Sequence, residues 1–240
     1  MTRLNHIAYN KTEGKSPGVV FCGGFRSDKE GSKALFLEEL CKELGHAFIR
    51  FDYFGHGESH GDFVDGTIGQ WKDDVIKVLD ELTEGPQIIV GSSMGGWLTL
   101  LAAKERPKKV KSLIGIASAP DFTEELLWQA FDEFRQKKLE KEGVIQIPNC
   151  YEDEEPYPIT IKLIEEGREH LLLEDEIKIN CPIRLLHGMD DEDVPYEYST
   201  SIAEMVTSDD VEVHLLKDAG HRMSGEKELA LLKETLLSLL

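Results

Sequence analysis

Short apolar runs alternate with helical-period segments along almost the whole chain, and that alternation narrows the fold more than any single motif. The runs are Gly18–Cys22, Ala47–Phe51, Gln87–Val90, Ser112–Ala117, Ile183–His187 and Val211–Leu216. They are short and predominantly apolar, as strands of a sheet covered by helices are. Between them lie Ser32–Leu44, Thr67–Leu82, Met94–Glu105, Tyr196–Val206 and Gly225–Leu240. Their apolar residues fall at three- and four-residue spacing, as in Trp71, Val75, Val78, Leu79 and Leu82. Strand and helix in turn predict an α/β domain with a mostly parallel central sheet flanked by helices. A weaker strand is expected over Leu4–Tyr9. At 240 residues the chain suits a single domain, 1–240.

One interval breaks the rhythm. Between the strand ending near Ala117 and the one beginning near Cys181 lie about 60 residues, several times a usual connection. The interval contains an amphipathic stretch (Phe122–Lys141), an extended piece (Val144–Ile147), an acidic turn (EDEEPYP) and a second helical piece (Ile159–His170). It is expected to be a cap or lid insertion, 118–180, within the domain, with a purely structural elaboration as the alternative.

The sharpest local feature is Gly91-Ser92-Ser93-Met94-Gly95, preceded by an apolar strand and followed by a helical run. This is G-x-S-x-G in the strand–turn–helix setting that gives the pattern meaning. A nucleophile on such a turn needs glycine two residues before and two after, or strand and helix collide. Ser93 has Gly91 and Gly95 there, whereas Ser92 would have Val90 and Met94. Ser93 is therefore the candidate nucleophile, and a plain Gly/Ser-rich turn is the alternative.

A serine hydroxyl needs a base, and the base an orienting acid; in this fold they follow in the order Ser, acid, His. Of the eight histidines, His6, His46, His56 and His60 precede Ser93. His170 lies in the insertion, His187 ends a strand before the favoured acid, and His214 lies inside the last strand. His221 follows that strand in a loop, and Gly220 gives it freedom to swing towards Ser93. For the acid, Asp190, Asp191 and Asp193 share one loop and position does not choose among them; Asp121 is a topologically allowed competitor. Acyl transfer also needs two backbone N–H groups aimed at an oxyanion. Met94, directly after the nucleophile, supplies one, and Phe25, after Gly23-Gly24, supplies the other.

These motifs together carry a resemblance. The chain resembles an α/β-hydrolase over essentially its whole length, on GGFRSD (23–28), DYFGHGES (52–59), GSSMGGW (91–97), HGMDDEDVP (187–195) and GHRM (220–223). Within that superfamily it is most similar to the mitochondrial abhydrolase-domain palmitoyl-protein thioesterase and acyl-glucuronide esterase family. The resemblance implies Ser93 as nucleophile, His221 as base and Asp191 as acid, the last because the family's acid stands four residues after the strand-end His187. The implied activity is hydrolysis of acyl esters or thioesters by a Ser-His-Asp acyl-enzyme mechanism. An amidase or peptidase, and a non-catalytic binding module, are the rivals.

Around that centre, Trp97, Phe122, Leu126, Leu127 and Trp128 are candidates for an acyl pocket. Arg26 and Arg222 are candidates for receiving a substrate carboxylate, as an acyl glucuronide would require. His56, between two glycines, reads as a turn residue. No metal and no cofactor is implied, because serine, imidazole and backbone dipoles suffice.

Charge bounds the partners. The net charge is −19, and 118–180 alone carries 17 acidic against 7 basic residues. A nucleic acid or an anionic membrane demands a basic surface, so neither is expected, nor is stable membrane insertion. The acidic insertion is expected either to disfavour polyanionic substrates such as CoA thioesters by local repulsion or to serve as a solvated surface that aids solubility. The expected substrates are small-molecule or lipid acyl compounds, with an S-acylated protein among them; the sequence fixes no oligomeric state. Cys22, Cys41, Cys150 and Cys181 lie far apart, without metal spacing, and read as reduced thiols. With no signal or transit character in MTRLNHIAYN, a cytoplasmic location is expected.

Overall fold

The computed structural model describes residues 2–148 and 156–240. The elements run β1 (Thr2–Leu4), β2 (Ile7–Thr12), β3 (Lys15–Cys22), α1 (Ser32–Leu44), β4 (His46–Phe51), α2 (Ile68–Leu82), β5 (Gln87–Ser92), α3 (Met94–Glu105) and β6 (Val110–Ile116). After β6 come α4 (Glu133–Glu142), β7 (Val144–Ile147), β8 (Tyr157–Thr160) and α5 (Ile161–Gly167). The chain closes with β9 (Ile183–Gly188), α6 (Glu197–Met205), β10 (Val211–Leu216) and α7 (Glu226–Leu239).

Eight strands form one sheet in the order β1-β2-β4-β3-β5-β6-β9-β10. Only the β1/β2 and β2/β4 pairs are antiparallel; every later pair is parallel. The period-2 alternation of a strand sends neighbouring residues to opposite cores. Val19 and Phe21 of β3, with Ile88 and Val90 of β5, pack on Leu37 of α1 and Leu236 of α7. Val20, Cys22 and Ile89 pack the other way, on Trp71 and Val75 of α2 and Leu98 of α3. Both faces are covered, which is why these strands read as continuous apolar runs.

The order also fixes where a site can form. From β3 the chain crosses to β4 on one side, then passes back over β3 to place β5 on the other. The loops after β3 and β5 therefore part at neighbouring strand ends, opening a crevice at the carboxyl edge of the sheet.

Two sequence expectations change. The single strand over Leu4–Tyr9 is a hairpin, split at Asn5, which takes the left-handed φ of 53° that asparagine tolerates. The amphipathic stretch Phe122–Lys141 is not one helix. A wide helical turn, Thr123–Trp128, ends before Asp132, whose carboxylate accepts Arg135 N–H at 2.7 Å and caps α4 anew. The interval between β6 and β9 also holds the antiparallel β7/β8 pair, which forms a separate two-stranded sheet. Cys150 and most of the acidic turn lie outside the described residues. Cys22 and Cys41 are buried thiols, and burial pushes both up to about 12.

Candidate active site

Ser93 stands between β5 and α3 with φ 56°, ψ −122°, a left-handed conformation that a side-chain-bearing residue adopts only under constraint. The constraint is visible on both sides. Ser93 N–H donates to Ile116 O at 2.9 Å, while Ser93 O accepts from Gly96 N–H at 2.8 Å and Ala119 N–H at 3.1 Å. A Cβ on Gly91 would lie 2.4 Å from Gly95 O, and one on Gly95 would lie 2.2 Å from Cys22 O. Those contacts are impossible for any residue but glycine, which is the physical content of the G-x-S-x-G spacing.

His221 reaches Ser93 from the loop after β10. Its Nε2 lies 3.0 Å from Ser93 Oγ, and its Nδ1 lies 2.8 Å from Asp191 Oδ2. A carboxylate only accepts, so Nδ1 carries the hydrogen and Nε2 is left to accept the serine O–H. The loops bearing Asp191 and His221 are stitched together: Asp190 N–H donates to Ala219 O at 3.0 Å, and Met189 N–H to Leu216 O at 2.8 Å. Gly188 permits that approach, since a Cβ there would sit 2.0 Å from Ala219 O.

Among the three neighbouring aspartates, only Asp191 meets His221 in this way. Its carboxylate is shielded from solvent and receives four N–H groups. Oδ2 takes His221 and, at 3.1 Å, His187 Nε2; Oδ1 takes Asp193 N–H at 3.0 Å and Val194 N–H at 2.8 Å. Burial pushes the Asp191 carboxyl up, but the hydrogen bonds from His187 and His221 outweigh it and hold it well below the usual carboxylate range. Asp190 is exposed. Asp121 is buried elsewhere, its oxygens accepting the N–H groups of Leu172 and Leu173 at 2.8–3.0 Å. Asp191, Asp193 and His221 bring donor atoms within 4.8 Å of one another. With Asp191 already accepting four N–H groups, that set is built for hydrogen bonding rather than as a metal cradle.

Phe25 and Met94 line the same pocket. Met94 opens α3, so its N–H has no acceptor within the helix. Gly24 packs on Ser93 closely enough that a Cβ there would lie 3.3 Å from Ser93 Cβ, and the next residue, Phe25, lines the pocket. Among the described residues neither N–H has a hydrogen-bond acceptor. Phe25, Met94, Ser93 and His221 all line one pocket of about 660 Å³, within the usual range for a small-ligand site.

Of the other candidates, Phe122, Arg26 and Arg222 line this pocket, as do Leu126 and Leu127. Trp97 and Trp128 do not, and their assignment to the acyl wall is corrected. Trp97 is buried behind Phe122 with its Nε1–H donating to His170 O at 3.1 Å. Trp128 stacks under the Arg168 guanidinium, 4.9 Å from its ring centre. The rest of the apolar wall comes from Ile147, Tyr157 and Ile159 on the β7/β8 pair, which sequence reading did not assign. Lys33, also unassigned, joins Arg26 and Arg222 on the lining, and burial followed by the Arg222 charge pushes its ammonium down to about 8. Its signal was weak: one lysine at the start of an ordinary amphipathic helix.

Residues 17–148 match the family model of the alpha/beta hydrolase fold. The palmitoyl-protein thioesterase ABHD10, mitochondrial, of Homo sapiens is 47% identical over 233 residues, covering 97% of this chain and 76% of the relative. The structure of alpha/beta hydrolase domain-containing protein 10 from mouse superposes with a TM-score of 0.91 at 45% identity, covering 97% of this chain and 93% of that one. Est1E from Butyrivibrio proteoclasticus with ferulic acid bound has a TM-score of 0.78 at 22% identity, a similarity of fold, over 97% of this chain and 93% of that one. The cytoplasmic expectation is corrected by these relatives: the ABHD10 proteins, near half identical to this chain, are designated mitochondrial. Among the described residues no helix is long and apolar enough to cross a membrane.

Proposed function

The chain belongs to the alpha/beta hydrolase family and is a serine hydrolase of acyl esters or thioesters, and we propose that Ser93, His221 and Asp191 carry that reaction. The observation behind this reading is the unbroken hydrogen-bond line from Ser93 Oγ through His221 to Asp191. His221 Nε2 takes the serine proton as Oγ attacks the acyl carbon, and Asp191 stabilises the imidazolium that forms. The oxyanion is received by the N–H groups of Phe25 and Met94, at the positive end of α3. His221 then returns its proton to the leaving alcohol or thiol, and a water, activated by the same imidazole, releases the acid and restores Ser93.

The pocket lining is mixed in polarity. Phe25, Phe122, Leu126, Leu127, Ile147 and Ile159 offer an apolar wall for an acyl chain, while Arg26, Lys33, Glu192, Asp193 and Arg222 put charge on the same lining. Residues 118–180 act in this reading as a cap, because they supply much of the apolar wall. A lipid-like acyl group on a small molecule or on a protein thiol is the substrate this lining favours. An S-acylated protein also fits the activity for which the ABHD10 relatives are named.

A panel of p-nitrophenyl esters, acyl thioesters and anilides of equal chain length tests the reading. Esters and thioesters should turn over readily and anilides much more slowly. Rates should also rise as the chain lengthens, by up to about 0.8 kcal/mol of binding per methylene buried. Anilide turnover at or above the ester rate would overturn the assignment in favour of an amidase.

A further inference from the structure

The DYFGHGES stretch contributes no residue to the triad, yet it lies against the loop that carries the Phe25 N–H. Tyr53 Oη–H donates to Gly23 O at 3.1 Å, and Lys29 N–H donates to Asp52 Oδ1 at 2.6 Å, so both ends of residues 23–29 are tied to it. The third tie is at the centre. His56 is buried, its ring edge-on to Tyr53, Phe63 and Trp71 at centroid distances of 5.4, 5.0 and 5.1 Å. Its Nδ1 lies 3.1 Å from Phe54 O, a group that only accepts, so Nδ1 carries the hydrogen. Nε2 is thereby left with a lone pair, and it accepts the Arg26 N–H at 3.2 Å.

Arg26 needs that tie. It stands at φ 56°, outside the conformations that non-glycine residues prefer, immediately after the residue whose N–H faces the oxyanion. Released from His56, the backbone at Arg26 can relax to negative φ, and the turn that aims Phe25 N–H would change with it. Gly55 and Gly57, at φ 70° and 45°, give the segment the curvature that brings the ring under the loop. We propose that His56 is a positioning residue, holding the Arg26 amide through Nε2 and so aiming the adjacent Phe25 N–H at the oxyanion. Burial, against the pull of the Phe54 carbonyl and with help from the Arg26 charge, pushes the ring down to about 4, so Nε2 stays an acceptor throughout the neutral range.

This inference rests on the acyl-transfer reading, and wild-type ester turnover tests that reading separately. His56→Leu fills comparable space without an acceptor, whereas His56→Gln places Oε1 near the position of Nε2. With one p-nitrophenyl ester, His56→Leu should lower kcat by about 10- to 100-fold while leaving KM within about twofold. It should weaken a trifluoromethyl ketone, which forms an oxyanion on Ser93, by the same factor, and leave the affinity for the product acid unchanged. His56→Gln should recover most of both losses at unchanged thermal stability. If His56→Leu does not fold, His56→Met serves in its place. A wild-type enzyme that turns over esters beside an equally active His56→Leu would overturn this inference alone. So would equal losses in the Leu and Gln variants, or a loss confined to KM.

Discussion

Ser93→Ala is expected to lower kcat for an ester substrate by about 10⁴- to 10⁶-fold, with the protein folded and its substrate affinity little changed. The size of the effect follows from the mechanism: without Oγ there is no acyl-enzyme, and only the oxyanion donors and binding remain to act on a direct attack by water. Folding should survive because the strained turn is held by backbone contacts, Ser93 N–H on Ile116 O and the N–H groups of Gly96 and Ala119 on Ser93 O. Alanine keeps all three and bears the same φ strain as serine. Steady-state kinetics beside a thermal melt check it. Ser92→Ala is the control, since Ser92 lacks the flanking glycines and the His221 contact.

Asp191→Asn is the second large effect, a drop in kcat of about 10⁴-fold. The carboxylate accepts four N–H groups, and an amide can accept at one atom only. The asparagine NH2 would face hydrogens already carried by His221 Nδ1 or His187 Nε2, or by the Asp193 and Val194 amides. His221 then turns to the tautomer in which Nε2 carries the hydrogen and no longer accepts from Ser93. Asp190→Asn and Asp193→Asn should retain nearly all activity, because neither carboxylate meets the ring in this way. The pH dependence of stability has a definite sign. The folded Asp191 carboxyl ionises at lower pH than the unfolded one, so its contribution is fully present above about pH 4 and is lost as pH falls further. The stability difference between wild type and Asp191→Asn, read from denaturant midpoints, should therefore shrink below about pH 4.

How much of this was legible in the sequence depends on how local each constraint is. The parallel sheet could be read because two covered faces leave strands such as Val19–Cys22 apolar throughout. Ser93 could be read because Gly91 and Gly95 are demanded by contacts within a single turn. His221 followed from chain order and a flexible loop. Asp191 did not follow from spacing, since three aspartates share its loop and only the stitching of 188–191 to 216–219 selects one; family resemblance was needed. The pocket wall was harder still. Trp97 sits on α3, which is apolar on every side, so periodicity could not say which face meets the cavity. Ile147, Tyr157 and Ile159 reach the pocket through the pairing of β7 with β8, a contact between distant segments that leaves no local mark. His56 read as a turn residue because its glycine neighbours are visible in sequence, while its hold on Arg26 is a contact thirty residues away in the chain.

The most direct test of the central claim is mass spectrometry of the enzyme quenched during turnover of an acyl thioester or p-nitrophenyl ester. The mechanism predicts a mass increase of one acyl group, mapping to the peptide that contains Ser93 and absent from Ser93→Ala. Steady turnover with no such adduct, even when deacylation is slowed, or an adduct mapped to Ser92 or to any other residue, would contradict it.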